Sequence, residues 1–160
     1  MRALRTRKRK WLAATIGVVL VGTAAAVAVA SPSFGLTSTI FVTANLEQDV
    51  HLNSDRVKFQ TKGPTDVRVQ RLEFAAGAFS GWHHHPGMVI VAVESGAVTL
   101  THADCSSVTY GPGLTAGSVF VESGDEPSQA TSATGATVYV TYVAPDGAGF
   151  RLEDDPVTCP

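Results

Sequence analysis

The 160-residue sequence lacks the short motifs of the common enzyme classes. It has no Gly-x-Ser-x-Gly elbow, no His-Glu-x-x-His, no glycine-rich loop followed by Lys and no calcium-loop spacing. These absences remove the α/β-hydrolase, zincin, phosphate-loop and EF-hand readings. Charged residues make up only 16% and aromatics 8%, so no aromatic stripe stands out, and Phe79, Trp82, Tyr139 and Tyr142 serve equally as core or pocket lining. Outside the first thirty residues no long stretch repeats at the helical period, which excludes a helical bundle. At 44% hydrophobic with 15 Gly and 8 Pro, the chain is too apolar to be disordered and rich in turn formers. Its length allows one modest core and excludes two packed domains.

Charge is unevenly placed. Arg2, Arg5, Arg7, Lys8, Arg9 and Lys10 precede an uncharged run from Trp11 to Ala30, and every acidic residue lies beyond it. Residues 31–160 therefore hold six cations against fourteen acids, a net −8, which argues against nucleic acid or an anionic membrane surface as partner. Residues 1–30 read as an export signal ending in Ala28-Val29-Ala30, with cleavage expected after Ala30. The rival is an uncleaved anchor over 11–30, long enough to cross a bilayer and then the only membrane contact. Both readings place the rest of the chain on the outside, secreted or extracytoplasmic, because the basic cluster stays cytoplasmic. No Cys near the apolar run allows lipid attachment, and no twin Arg marks the folded-protein export route.

Cys105 and Cys159, 54 positions apart, are the only cysteines. In an oxidising compartment such a pair is expected to form one disulfide that pins the C-terminal tail, residues 146–160, to the fold. In the chain-entropy account this contributes on the order of 4 kcal/mol. Asp104 beside Cys105 and acids near Cys159 leave nothing electropositive to favour a reactive or metal-binding thiolate.

Residues 31–37 read as a linker, with the folded part, 38–145, starting near Ser38. Beyond it, β-rich runs alternate with turn residues every eight to twelve positions or so, the pattern of an all-β sandwich or barrel. Strands are expected at Thr39–Ala44, Arg56–Thr61, Asp66–Phe74, Met88–Val93, Ala97–Thr101, Ser118–Val121 and Ala136–Val143. Turns are expected at Lys62-Gly63-Pro64-Thr65, Ser95-Gly96, Gly111-Pro112-Gly113 and Ser123-Gly124-Asp125. Val67, Val69, Val138 and Val140 alternate as in half-buried strands. Met88 to Val93, apolar at every position, should be central.

One stretch carries chemical information: Gly77-Ala78-Phe79-Ser80-Gly81-Trp82-His83-His84-His85-Pro86-Gly87. In extended backbone His83 and His85 point to one side and His84 to the other, so two imidazoles can converge on an ion. By itself the triplet reads first as an exposed His-rich turn with Gly and Pro around it. The wider frame, Gly77, five residues, His83-x-His85, ten residues, Gly96, resembles the first motif of the cupin superfamily. That motif runs Gly, five residues, His-x-His, three or four residues, Glu, six residues, Gly. The resemblance covers about Arg56 to Val143. It implies a double-stranded β-helix, or jelly-roll barrel, whose mouth holds a divalent metal (iron, manganese, zinc or nickel) on three His and one carboxylate, and which is often dimeric.

Two departures stand against a complete site. Val89 occupies the position of the Glu ligand. Aligning Gly117 with the second motif puts Ser123, Asp125, Ser128 and Ser132 at its later positions, so Ser128 stands where the third His is expected. Two imidazoles alone hold an ion poorly. By residue type the candidate third ligands are His102, Glu122, Glu94, Glu126 and His51. Glu94 lies an odd number of positions from Val89 and should face the other way, His102 shares the parity of Val98 and Leu100, and Glu122 beside a turn reads first as a solvated acid. The sequence is thus expected to encode an exported cupin barrel with an incomplete metal site at His83 and His85. The expected role is small-molecule binding or structural, with no residue assigned to catalysis. The alternative is a cupin-type metal-dependent oxygenase or isomerase that recruits His102 or Glu122. A homodimer through the sheet is a further expectation.

Overall fold

The computed structural model describes residues 31–159. The expected export signal or anchor, residues 1–30, lies outside the described residues. Twelve strands and no helix make up the described residues: β1 (Phe34–Leu46), β2 (His51–Asn53), β3 (Lys58–Gln60), β4 (Thr65–Phe79), β5 (His83–His84), β6 (Met88–Gly96), β7 (Val98–His102), β8 (Ser107–Tyr110), β9 (Val119–Ser123), β10 (Ser128–Ser132), β11 (Ala136–Pro145) and β12 (Leu152–Glu153). Among these residues no helix is long and apolar enough to cross a membrane.

Apart from the small β2–β3 hairpin, the strands form one antiparallel sheet that curls into a nearly closed barrel. One wall runs β1-β4-β11-β6-β9. The other holds β12-β5-β10, with β7 beside β10 and β8 beside β7. The long β4 joins the walls, since its last residues, Ala78 and Phe79, pair with Ser132 and Thr131 of β10 while its body pairs with β1 and β11.

The period-two burial expected of strands is visible in β6 and β11. Val89, Val91 and Val93 of β6 and Val138 and Val140 of β11 point inward with Phe74, Val98, Leu100 and Phe120 to form the core. Strand β6 is central, paired on both sides, yet only one of its faces is covered: Ile90, 36% exposed, looks outward because no layer packs on the outer surface. In β4 the inward residues are Gln70, Leu72 and Phe74 rather than Val67 and Val69, which are half-buried.

All seven expected strand regions contain a strand. The linker reading of 31–37 is corrected at its end, where Phe34 and Leu36 already pair with Phe79 and Phe74. Strands β2, β5, β8, β10 and β12 are short, and Ser and Thr make up half of β8 and most of β10, so no apolar run announces them. The Ser95-Gly96 turn needs its glycine: Gly96 has φ +74°, and a Cβ there would lie 2.1 Å from the Gly135 carbonyl oxygen. Cys105 and Cys159 lie at disulfide-bonding distance, with Cα atoms 5.5 Å apart.

Candidate metal centre

The mouth of the barrel is built where β5, the Pro86-Gly87 turn after it, β6 and β9 meet. His83 and His85 point inward, 5% and 4% exposed, and their rings meet edge to face at 4.8 Å. His84 turns the other way and its Nδ1 donates to Asp154 Oδ2 at 2.8 Å. The alternation expected of extended backbone therefore holds.

A third donor reaches the histidines from β9. Glu122 is the cross-strand partner of Val89 in the β6–β9 pairing. Directly opposed residues of an antiparallel pair project to the same face. Since Val89 is 2% exposed and inward, Glu122 is inward too, with its side chain 10% exposed. Glu122 Oε2 lies 3.8 Å from His85 Nε2, and one ligand atom from each of His83, His85 and Glu122 falls within 4.8 Å of the others. With metal–ligand bonds of about 2.0–2.2 Å, neighbouring tetrahedral ligands stand about 3.4 Å apart, so small rotations of three side chains close this set on an ion.

The protonation pattern fits that use. His83 Nδ1 lies 2.9 Å from the Gly81 carbonyl oxygen, and His85 Nδ1 lies 2.6 Å from that of Phe150. A carbonyl only accepts, so both rings carry the proton on Nδ1 and leave the Nε2 lone pair as ligand. Burial, the Arg151 guanidinium and His85 push the His83 imidazole down to about 4, against the opposing Gly81 bond and Glu153, so this ring is neutral at physiological pH. Ser128, 3% exposed, donates its hydroxyl to Glu122 Oε1 at 2.7 Å. The residue that stands at the expected third-histidine position thus orients the carboxylate. Tyr142, whose hydroxyl accepts a hydrogen bond from Gln70 Nε2 at 2.9 Å, packs against His85. Burial, and secondarily Glu122, push its phenol up to about 12, keeping it protonated.

The other candidate ligands stand apart. Glu94 and Glu126 are exposed, His51 is exposed beside Asp49, and half-buried His102 lies across the β7–β10 ladder from Ser128 without joining the cluster. Glu122 was legible in principle, since it alternates with Phe120, which is buried, and against Val119 and Val121, which are exposed. The roles of Ser128, Tyr142 and the Phe150 carbonyl had no such signal. Glycine at position 81 is required by its φ of +73° and because a Cβ there would sit 1.9 Å from the Ser31 carbonyl oxygen, so the chain at Ser31 seats directly on the connection that leads into the ligand histidines.

The three donors and Arg151 line the polar part of a cavity of about 50 Å³ whose apolar part includes Phe74, Val91 and Val98. At about 10–15 Å³ per water on this measure, the space holds a few waters rather than a sizeable organic molecule. A larger cleft of about 470 Å³ between the β2–β3 hairpin and the barrel has no His, Cys, Asp or Glu in its lining.

Comparison with solved structures gives the fold. A cupin-2 domain from Rhodospirillum rubrum is similar with a TM-score of 0.50 at 12% identity, covering 79% of this chain and 68% of that one. An RmlC-like cupin from Shewanella frigidimarina gives 0.46 at 18% identity over 71% and 79%. A salicylate 1,2-dioxygenase from Pseudoaminobacter salicylatoxidans, solved with gentisate, gives 0.46 at 17% identity over 67% of this chain but only 24% of the dioxygenase. This chain thus spans about a quarter of that enzyme. No protein-family model matches the sequence, and no curated protein matches it. The chain has the cupin fold.

Proposed function

We propose that this cupin barrel is a divalent-metal-binding protein whose ion is held by His83, His85 and Glu122 and offered to a small molecule entering the mouth. The observation that carries the reading is the pair of Nδ1–H bonds to backbone carbonyls, which leave both Nε2 atoms free beside the half-buried Glu122 carboxylate. Two imidazoles and one carboxylate suit iron(II), manganese(II) or zinc(II), with the remaining positions left to water or ligand.

A bound ion would supply Lewis acidity at the end of the cavity, polarising a ligand oxygen or lowering the pKa of a water. The chain's own residues hold and shape the place. Ser128 fixes Glu122, Tyr142 walls the His85 ring, Arg151 adds positive charge that favours an anionic ligand group, and the apolar lining excludes bulk water. Of the two expectations, an incomplete site and one that recruits Glu122, this reading takes the second, supported by the position of Glu122 opposite Val89 on the facing strand. We further infer export to an oxidising compartment, which the Cys105–Cys159 pair and the charge-free run 11–30 support.

The test is metal analysis of protein purified without a histidine tag, then titration with iron(II), manganese(II) and zinc(II). One ion per chain in the parent, and none in the His83→Ala/His85→Ala variant, is expected. A parent that takes up no metal overturns the proposal.

A further inference from the structure

We propose that the disulfide-tethered C-terminal tail is part of the metal centre, acting as a strap that positions His85. The inference rests on the metal-binding reading above. From Phe150 to Asp154 the tail runs antiparallel along the ligand strand. Leu152 and Glu153 pair with His84 and His83. The Phe150 carbonyl accepts from His85 Nδ1 at 2.6 Å, the Arg151 guanidinium donates to the Ser80 carbonyl at 2.6 Å, the Asp154 N–H donates to the Trp82 carbonyl at 3.1 Å, and the Asp154 carboxylate accepts from His84.

The two ligand histidines are oriented from different sources. His83 is set by Gly81, two residues before it in the connection between β4 and β5, whereas His85 is set by a carbonyl 65 residues away. The positioning of His85 therefore depends on the tail being docked. Docking by the pairing alone is narrow, since β12 is two residues long and both Leu152 and Glu153 are exposed. Beyond Asp154 the chain continues to Cys159, which is held to Cys105 just past β7. That covalent tether keeps the tail at high effective concentration over the histidines, where the short pairing is joined by the Arg151–Ser80 bond and the packing of Phe150 on Tyr142 and Arg68. Opening the S–S bond with a dithiol places two electrons and two protons on the sulfurs. It yields two protein thiols and the reagent's own disulfide, and it frees the tail.

Loss of an outer hydrogen-bond partner of a ligating histidine weakens metal affinity by about 10–100-fold. The full chain with its disulfide formed is titrated with cobalt(II), monitored by visible absorption, alongside Cys105→Ser/Cys159→Ser. The Ser variant is expected to keep its far-ultraviolet circular dichroism and bind cobalt(II) about 10–100-fold more weakly. In a His85→Ala background the same Cys replacements should cause no further loss, whereas in a His83→Ala background the loss should persist. A purely structural role for the disulfide would weaken binding in all backgrounds. A folded Ser variant with unchanged cobalt(II) affinity, or an equal loss in the His85→Ala background, overturns the strap. If the Ser variant does not fold, Asp154→Ala decides with the disulfide intact: weaker cobalt(II) binding is expected, and unchanged binding overturns the inference. Failure of the parent to bind cobalt(II) at all sinks the underlying metal reading, a result distinct from each of these.

Discussion

Val89 and Glu122 face one another across β6 and β9 with both side chains turned into the barrel. The position where the cupin pattern places its carboxylate is apolar here, and the carboxylate stands on the neighbouring strand, one ladder step away. Because opposed Cβ atoms in an antiparallel pair lie about 4.5–5.5 Å apart, a longer acidic side chain can cover the same space from either strand.

The first prediction concerns this carboxylate. Glu122→Gln keeps the shape and removes the charge, and should weaken zinc(II) binding by about two orders of magnitude or more, while Ser128→Ala, which only releases the carboxylate, should cost about 10–100-fold. Titration calorimetry with zinc(II) checks both. Removing metal from the parent by chelation should lower its melting temperature, and at a zinc(II) concentration of 100 Kd the bound ion stabilises by about 2.7 kcal/mol.

Acid should destabilise the metal-free protein. The His83 imidazole titrates near 4 in the fold and at about 6.5 when unfolded, so as pH falls the unfolded chain takes up the proton first. The contribution is fully present above about pH 6.5 and is lost between there and about pH 4, on the order of 3 kcal/mol in all. Urea midpoints of the chelated protein should fall across this window, and His83→Gln should flatten the slope. An unchanged slope would assign the effect to another group.

Glycine 81 has no substitute. Gly81→Ala places a side chain in the left-handed region, a cost of about 1–2 kcal/mol, and drives its Cβ into the Ser31 backbone. Both the melting temperature and the metal affinity should drop, because the residue whose carbonyl orients His83 must shift. Gly77→Ala provides the comparison, since that glycine also has positive φ, +77°, but nothing lies within 4 Å of its added Cβ. It should lose stability without the same loss of metal.

Tyr142→Phe deletes the acceptor for the Gln70 amide, and Gln70 is 8% exposed. An unsatisfied buried donor costs about 1–3 kcal/mol, to be read as a lower urea midpoint. The phenyl ring still packs on His85, so zinc(II) affinity should change little. A large loss of affinity would show that the hydroxyl itself acts at the centre.

The alternating valines of β6 and β11 and the Gly-Pro punctuation made the barrel legible, because both are local properties of a pleated strand. The projection of His83 and His85 to one side was legible for the same reason. What escaped was set by pairing. Glu122, one of several candidate third ligands by residue type, is singled out only by its register with Val89, and Phe150 orients His85 through a tail that returns from far along the chain. Strand β10 escaped for a different cause: Ser128, Ala130 and Ser132 are buried small residues, with the Ser128 hydroxyl bonded to Glu122 and the Ser132 hydroxyl to the Ala97 carbonyl. Composition alone makes such a segment resemble a loop.

The seat of Ser31 against Gly81 fixes where the chain enters the barrel. The same glycine supplies the carbonyl that faces His83 Nδ1, so the entry of the chain and the setting of one imidazole converge on a single residue.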